Sequence, residues 1–250
     1  MKRLYIIKAG STFPATAGRF GDFDRWTIDG LGKIKAETCV LDAEHGAALP
    51  TASDCAGVII TGSHSMVTDD LPWSIGLEAW IPSLLEAHVP FLGICYGHQL
   101  LARSMGGQVG FHPRGEEIGT VEICLRDEFV NDALFRLFPK SFAAHVTHSQ
   151  TVLRLPPDAI PLASNSYEPN HAFRLGDRAW GVQFHPEYNA AVMRDYILEQ
   201  ADELESMGRS VRELLCAVKG TPVALQTLRN FAGIVENGLD NQGEEGLGKE

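Results

Sequence analysis

A cysteine stands between two glycines in Pro90-Phe91-Leu92-Gly93-Ile94-Cys95-Tyr96-Gly97-His98-Gln99-Leu100-Leu101-Ala102, where an apolar run fit for a buried strand meets a helical pattern. A G-x-C-x-G junction has the mechanics of a nucleophile elbow: small flanking residues let the chain bend sharply and lift the central side chain above the sheet edge. Cys95 would also begin the next helix, where the positive end of the dipole and free N–H groups make a thiol a usable nucleophile. By itself the cysteine could equally be a small apolar residue packed in a strand. Ninety residues on comes Ala179-Trp180-Gly181-Val182-Gln183-Phe184-His185-Pro186-Glu187. Alternating Trp180, Val182 and Phe184 read as a strand that His185 ends, and Pro186 turns Glu187 back toward the imidazole. A nucleophilic thiol needs a base, and the base needs a third group to hold its tautomer and orientation. Cys95, His185 and Glu187 supply all three types. Alone, His185 would pass as a surface or capping histidine; together, the two motifs are hard to explain as packing.

In this order and at this separation, the FLGICYGHQLLA and WGVQFHPE segments resemble the class I glutamine amidotransferase family, and the chain looks most like stand-alone proteins similar to the amidotransferase domain of GMP synthase. The likeness covers residues 1–195. It implies a Cys-His-Glu triad that hydrolyses the side-chain amide of glutamine through a γ-glutamyl thioester, with Cys95 as nucleophile, His185 as general base and acid, and Glu187 as the orienting carboxylate. A third segment, Gly57-Val58-Ile59-Ile60-Thr61-Gly62-Ser63, reads as a buried strand ending in a glycine loop. By the resemblance, the backbone N–H groups of Gly62 and Tyr96 form the oxyanion hole; such donors commonly contribute about 3–4 kcal/mol. Gly62 would make a turn in either case. Where many relatives have Gly-Pro or Ser-Pro after this glycine, the chain has Ser63-His64. The resemblance also places Gln99, Ser149 and Gln150 against the substrate. Gln99 has an alternative role in packing within its own helix.

The composition suits an α/β domain with a large core: 250 residues, 44% of them hydrophobic. A formal net charge of −11 and the lack of any Lys/Arg cluster argue against a nucleic-acid surface. Apolar runs such as 58–60 and 90–94 are far too short to span a bilayer. The start, Met1-Lys2-Arg3-Leu4-Tyr5-Ile6-Ile7-Lys8, is broken by Lys8 and reads as a first core strand rather than a signal peptide. Five cysteines without regular spacing point to a reducing compartment, hence a cytoplasmic protein, rather than to a disulfide scaffold. No metal site is expected: the His145 and His148 side chains would point to opposite faces of a strand. No cofactor is implied.

The elements that must position these residues follow a βαβα rhythm. Parallel strands are expected at 4–9, 37–41, 57–61 and 90–95. A helix is expected over 74–87, split or kinked at Pro82, and Gly106-Gly107 should stop the helix after Cys95. Short strands follow at 108–111, 119–125, 141–146, 161–164, 171–175 and 179–184, then helices at 190–205, 209–218 and 222–236. The pattern predicts an α/β fold with a mixed, mainly parallel sheet covered by helices on both faces. The family resemblance implies the flavodoxin-like version, with its site beyond the strands' C-terminal ends.

Three divisions are expected: an amidotransferase domain over 1–195, a helical C-terminal extension of that domain over 196–237, and a polar, glycine-rich, disordered tail over 238–250. The extension would cover the sheet, bind a partner or form a dimer contact. The tail's Gly243-Glu244-Glu245-Gly246-Leu247-Gly248-Lys249 mimics a phosphate-binding loop, but Glu250 replaces the required Ser or Thr and no strand precedes it. Nothing in the sequence resembles a synthetase domain. Ammonia would therefore go to a synthetase partner subunit, or the substrate is another γ-glutamyl small molecule, as in the relatives that are γ-glutamyl peptidases. A non-catalytic glutamine-sensing module is the third alternative.

Overall fold

A computed structural model describes the backbone of residues 2–247 and the side chains of residues 2–240. The chain opens with β1 (Arg3–Lys8), α1 (Pro14–Phe20), α2 (Phe23–Leu31), β2 (Thr38–Asp42), β3 (Cys55–Ile60), α3 (Pro72–Glu86), β4 (Phe91–Ile94) and α4 (Tyr96–Ser104). A strand-rich middle follows: β5 (Gln108–Phe111), β6 (Glu117–Leu125), β7 (Ser141–His148), β8 (Gln150–Arg154), β9 (Ile160–Ser164), β10 (Ala172–Leu175) and β11 (Ala179–Val182). Four helices come last: α5 (Ala190–Glu199), α6 (Ala201–Ser206), α7 (Val211–Ala217) and α8 (Pro222–Leu247).

Nine strands form one mixed sheet in the order β2-β1-β3-β4-β11-β10-β9-β6-β7, and β5 pairs with β8 in a separate ribbon. The stretch β2-β1-β3-β4-β11 is parallel and the rest antiparallel. This parallel part has the flavodoxin-like order, with β11 in the fifth place. Strand alternation explains why both faces need cover. Along β1, Leu4 and Ile6 enter one core while Tyr5 and Ile7 enter the other. The first core is closed by α2 and α8, through Leu31, Leu228, Phe231 and Val235; the second is closed by α3 and α4, through Leu77, Ile81, Leu84, Leu100 and Leu101. The extension thus covers its own sheet. Fully burying each of Leu228, Phe231 and Val235 is worth about 1.5–3 kcal/mol.

Several elements differ from the sequence expectations. Helix α3 runs through Pro82 without being split. The proline removes one backbone bond, but Leu77, Ile81 and Leu84 are fully buried and hold the helix by packing. The helix expected over 190–205 divides at Gln200 into α5 and α6. Helix α8 runs past Glu236 and through 238–247, the beginning of the segment expected to be disordered; residues 248–250 lie outside the described residues. Helices α1 and α2 and strand β8 are not among the elements expected from the sequence, although Phe23, Trp26 and Leu31 of α2 recur at helical spacing and are buried. The stop after α4 is as expected: Gly106 has φ +87°, and the Gly106 and Gly107 N–H groups donate to Arg103 and Ala102 carbonyls at 3.1 and 2.8 Å, a Schellman closure.

The two elbow glycines are fixed by contact rather than by turning alone. A Cβ on Gly93 would lie 2.3 Å from the Gly97 carbonyl oxygen, and one on Gly97 would lie 2.4 Å from the Ile60 carbonyl oxygen. These are backbone atoms, so neither clash can be relieved by a rotamer change. Gly93→Ala and Gly97→Ala are each expected to lower unfolding stability in urea by about 1–3 kcal/mol or more. The control is Gly76→Ala, on an exposed turn of α3 where nothing lies within 4 Å; it should be neutral or stabilise by up to about 1 kcal/mol.

Candidate active site

Three strands of the parallel part end close together, and each delivers one component. Cys95 follows β4 and caps α4 with φ 49° and ψ −94°, a backbone state costing on the order of 1–3 kcal/mol for a residue with a side chain. Its Sγ donates toward the Thr147 carbonyl at 3.8 Å and receives the Gln183 side-chain N–H at 3.4 Å. Its backbone N–H bonds Val182 at 2.8 Å, which ties the elbow to the end of β11.

His185 lies just beyond β11. Its Nδ1–H donates to Glu187 Oε1 at 2.7 Å, with both side chains buried. That bond assigns the tautomer and leaves Nε2 free, and Nε2 has no hydrogen-bond partner among the described residues. The His185 backbone N–H bonds the His145 carbonyl at 2.8 Å in a bridge to β7. Tyr188 stacks on the imidazole at 4.1 Å between centroids, and Phe23 of α2 lies nearly parallel beside both rings, 6.3 Å from the imidazole and 6.4 Å from Tyr188. Burial alone would push the His185 pKa down, but Glu187 and Cys95 beside it reverse this and raise it to about 10.

Gly62 follows β3. A Cβ there would come within 2.9 Å of His185 Cε1 and 3.4 Å of the Phe23 ring. Its φ is not positive, so what requires glycine here is the approach of the imidazole rather than a turn. Tyr96 is the first residue of α4, where a backbone N–H has no helical partner. The Tyr96 side chain points away toward α3, donating to Ser74 Oγ at 2.5 Å and lying against Trp73.

These residues border a cavity of about 240 Å³ whose walls include Cys95, Tyr96, Gln99, Ser149, Gln150 and His185. That is below the roughly 300–1,000 Å³ of drug-sized pockets, so a ligand of amino-acid size suits it. The expected substrate-contact residues therefore all reach the wall, but two are already engaged. Gln99 Nε2 donates to the Gln150 carbonyl at 2.8 Å and to Gln183 Oε1 at 3.0 Å. Gln150 Nε2 donates to Thr68 at 2.6 Å, while its Oε1 is buried without a partner. Ser149 is half-buried at the turn between β7 and β8.

Several contributors escape the motif reading. Gln183 sits inside the second motif but reads there as one more strand residue, although its amide links Gln99 to the sulfur. Tyr188 follows the motif directly and stacks on the base. Glu117 at the start of β6 accepts from His148 Nε2 at 3.0 Å and Asn165 Nδ2 at 2.7 Å, with His171 Nε2 3.3 Å away. Burial pushes the Glu117 carboxyl up, but these partners hold it well below the usual carboxylate range. His148 Nδ1 in turn bonds the Gln150 carbonyl at 3.0 Å, so this buried group fixes the 148–150 turn. His145 and His148, the H-x-x-H pair, serve separate networks: His145 Nδ1 bonds Thr120.

The family model for class-I glutamine amidotransferases matches residues 20–202. The chain is 36% identical over 180 residues to the glutamine-hydrolyzing GMP synthase of Aeropyrum pernix, which is 70% of this chain and 33% of that protein. It is 33% identical over 143 residues to gamma-glutamyl peptidase 5 of Arabidopsis thaliana, covering 56% of this chain and 57% of that one. The chain thus spans a third of the length of the first relative and little more than half of the second. Among solved structures it is similar to a glutamine amidotransferase from Methylobacillus flagellatus, with TM-score 0.73, 28% identity and coverage of 96% and 95% of the two chains. A glutamine amidotransferase from Thermotoga maritima shares the fold at TM-score 0.72 and 24% identity, over 94% and 99%.

The histidines buried around the site set the acid limit of the fold. Burial lowers the pKa of His98 to about 3 and that of His145 to about 4, and lowers that of His171 despite nearby Glu117. Between these values and about 6.5, the unfolded chain takes up protons that the native one refuses. The stability they support is complete above pH 6.5 and is lost as pH falls. His185 is raised, so its contribution is complete below about 6.5 and is lost only as pH rises toward 10. Burial lowers His64 as well, while Glu116, raised by burial, and His185, between pH 7 and about 6.5, act against these depressed histidines. Unfolding stability in urea should therefore fall from pH 7 to pH 5, with each depressed histidine contributing up to about 1.4 kcal/mol per pH unit. A flat profile over that range would contradict the assignment.

Proposed function

The chain belongs to the class I glutamine amidotransferase family, and from that premise we propose that it hydrolyses a γ-glutamyl amide through Cys95, His185 and Glu187. The observation that carries the reading is the buried His185–Glu187 bond of 2.7 Å, which leaves the other imidazole nitrogen free beside the strained cysteine elbow. In the proposed sequence, Cys95 gives its thiol proton to His185 Nε2, and the resulting thiolate attacks the δ-carbonyl carbon of the γ-glutamyl group. The developing oxyanion is received by the backbone N–H groups of Gly62 and Tyr96. His185 passes its proton to the leaving nitrogen, the C–N bond breaks and a γ-glutamyl thioester remains. Water then enters, His185 takes one of its protons, and the C–S bond breaks to release glutamate. Glu187 holds the ring and balances the imidazolium, while Gln183 and the helix N-terminus face the charge on sulfur.

The small cavity favours glutamine or a short γ-glutamyl conjugate. With glutamine the leaving group is ammonia, and a synthetase partner would use it. The likeness to γ-glutamyl peptidases supports a second reading, a small γ-glutamyl conjugate as substrate. Both use the same triad, because either leaving amine needs a proton. Gating would separate them: an amidotransferase that hydrolysed glutamine freely would waste it, and the Gly62-Ser63 loop is the element whose donor could be turned aside until a partner docks.

Treatment with 6-diazo-5-oxo-norleucine should add one equivalent at Cys95 and spare Cys39, Cys55, Cys124 and Cys216; labelling spread over several of these, read by peptide mass spectrometry, would sink the reading. His185→Ala should lower kcat by on the order of 10⁴ or more, while Glu187→Gln should lose at least tenfold less, since removing an orienting carboxylate spares more activity than removing the proton carrier. Equal losses in two folded variants would contradict this division of roles.

Steady-state kinetics on glutamine and a set of γ-glutamyl dipeptides decides between the substrates. With one oxyanion donor withheld, typically a 10²–10³-fold loss, the lone chain should turn over glutamine far below the enzyme median of about 10 s⁻¹. Glutamine turnover near that median would refute the gating, and fast peptide turnover would assign the chain to the peptidases.

A further inference from the structure

The cavity wall holds one carboxylate that the chemistry above does not use. Glu116 immediately precedes β6 and is half-buried on the pocket wall. Thr147 Oγ1 donates to its Oε1 at 3.4 Å, and the backbone carbonyl of the same Thr147 faces Cys95 Sγ at 3.8 Å. A single residue therefore separates this carboxylate from the nucleophile. In a γ-glutamyl group the α-nitrogen stands four bonds from the reacting carbonyl carbon, roughly 5 Å. Glu116 is in range of that nitrogen.

Its surroundings leave it free for a cation. Among the described residues, no Lys or Arg lines the cavity, and Glu116 is the one carboxylate on its wall. No ion pair involves it among the described residues. The nearest guanidinium is committed elsewhere: Arg209 donates to the backbone carbonyls of Glu116 and Ile118 at 3.0 and 3.4 Å. The neighbouring Glu117 is the opposite case, saturated by His148 and Asn165. Burial pushes the Glu116 carboxyl up by more than the nearby Arg209 draws it down, so its charge is taken partly out of water without full compensation. An ammonium brought by the ligand would remove that penalty, and a charge-assisted hydrogen bond in such a setting is among the stronger polar contacts.

We propose that Glu116 is a specificity-determining residue that receives the α-ammonium group of the γ-glutamyl substrate, and that its carboxylate selects amino-acid amides over des-amino amides; this rests on the pocket being the γ-glutamyl site. The turn at 148–150 lies directly across the strand pair, since Glu117 is registered opposite His148. The ligand's own carboxylate would then face that turn, where Ser149 is partly open. Glu116 thus reads the positive end of the zwitterion.

The test compares the rates at which two diazoketones alkylate Cys95 in the full chain: 6-diazo-5-oxo-L-norleucine and 6-diazo-5-oxohexanoate, which lacks the α-amino group. The wild-type second-order rate constant should be at least tenfold higher for the amino reagent. In Glu116→Gln the ratio should fall to within about twofold of unity through loss of the amino reagent's advantage, and Glu116→Asp should restore part of it. A ratio unaltered in Glu116→Gln overturns the proposal. So does a uniform slowing of both reagents, which would show that Glu116 supports the nucleophile or the fold. Labelling by iodoacetamide with no labelling by either diazoketone would instead overturn the γ-glutamyl reading itself, and this proposal with it.

Discussion

Where α4 begins, main chain meets main chain. The first turn of the helix passes so close to the ends of β3 and β4 that neither Gly93 nor Gly97 has room for a Cβ, and the chain turns between them through a residue with φ 49°. That steric condition decides where the sulfur stands. It also aligns the start of α4 with the carboxyl ends of three parallel strands, so Gly62, Cys95 and His185 meet although they lie far apart in sequence. The backbone strain at Cys95 is offset by the apolar packing beneath it, since Leu100, Leu101 and Ala102 of the same helix are fully buried.

The histidine is held by a different set of forces. A strand bridge fixes its backbone, a carboxylate fixes its tautomer, an aromatic ring covers its face, and a glycine leaves room for its edge. The arrangement is not a stabilising one in every part. Glu187 Oε2 is buried without a hydrogen-bond partner, and a buried ionic pair with an unsatisfied oxygen commonly costs more than its Coulomb attraction returns. The fold tolerates the pair because a third apolar cluster, including Phe23, Trp26, Tyr188, Val192 and Tyr196, encloses it. The aromatic residues that look like core packing therefore also keep water from Glu187 and keep the ring in register with the sulfur.

Those differences in cause explain what could be read from the sequence. The parallel strands and the elbow are legible because they repeat simple signals: apolar runs of strand length, and small residues flanking a reactive one. Cys95, His185 and Glu187, the proposed triad, are legible as residue types, and their meeting follows from strands that end on the same side of the sheet. Pro82 misleads because local propensity predicts a break that the packing of Leu77, Ile81 and Leu84 overrides. The division at Gln200 and the continuation of α8 to Leu247 lie at helix boundaries, where apolar spacing carries least information. Gln183, Thr147 and Glu117 were hidden for another reason. Each acts through a partner from a distant element that only the fold brings together: Glu117 opposite His148 by strand register, and Gln183 against Gln99 of α4.

The same distinction separates the chemistry of the pocket from its selectivity. The floor is over-determined: His185 and Glu187 are almost fully buried, and Gln99, Gln150 and Gln183 form a chain of amide hydrogen bonds that reaches the sulfur. Changing any one of these groups would leave a buried polar partner unsatisfied, at a cost of about 1–3 kcal/mol. The rim is only loosely determined. Ser63, Ser65, Met66, Glu116 and Ser149 are partly open to solvent, and substitutions there leave fewer polar groups stranded. A scaffold built this way would keep the proposed amide-cleaving floor while the rim selects the molecule that reaches it. The likeness to both glutamine-hydrolyzing GMP synthases and gamma-glutamyl peptidases fits that division, because the two names place different groups on the γ-glutamyl carbonyl.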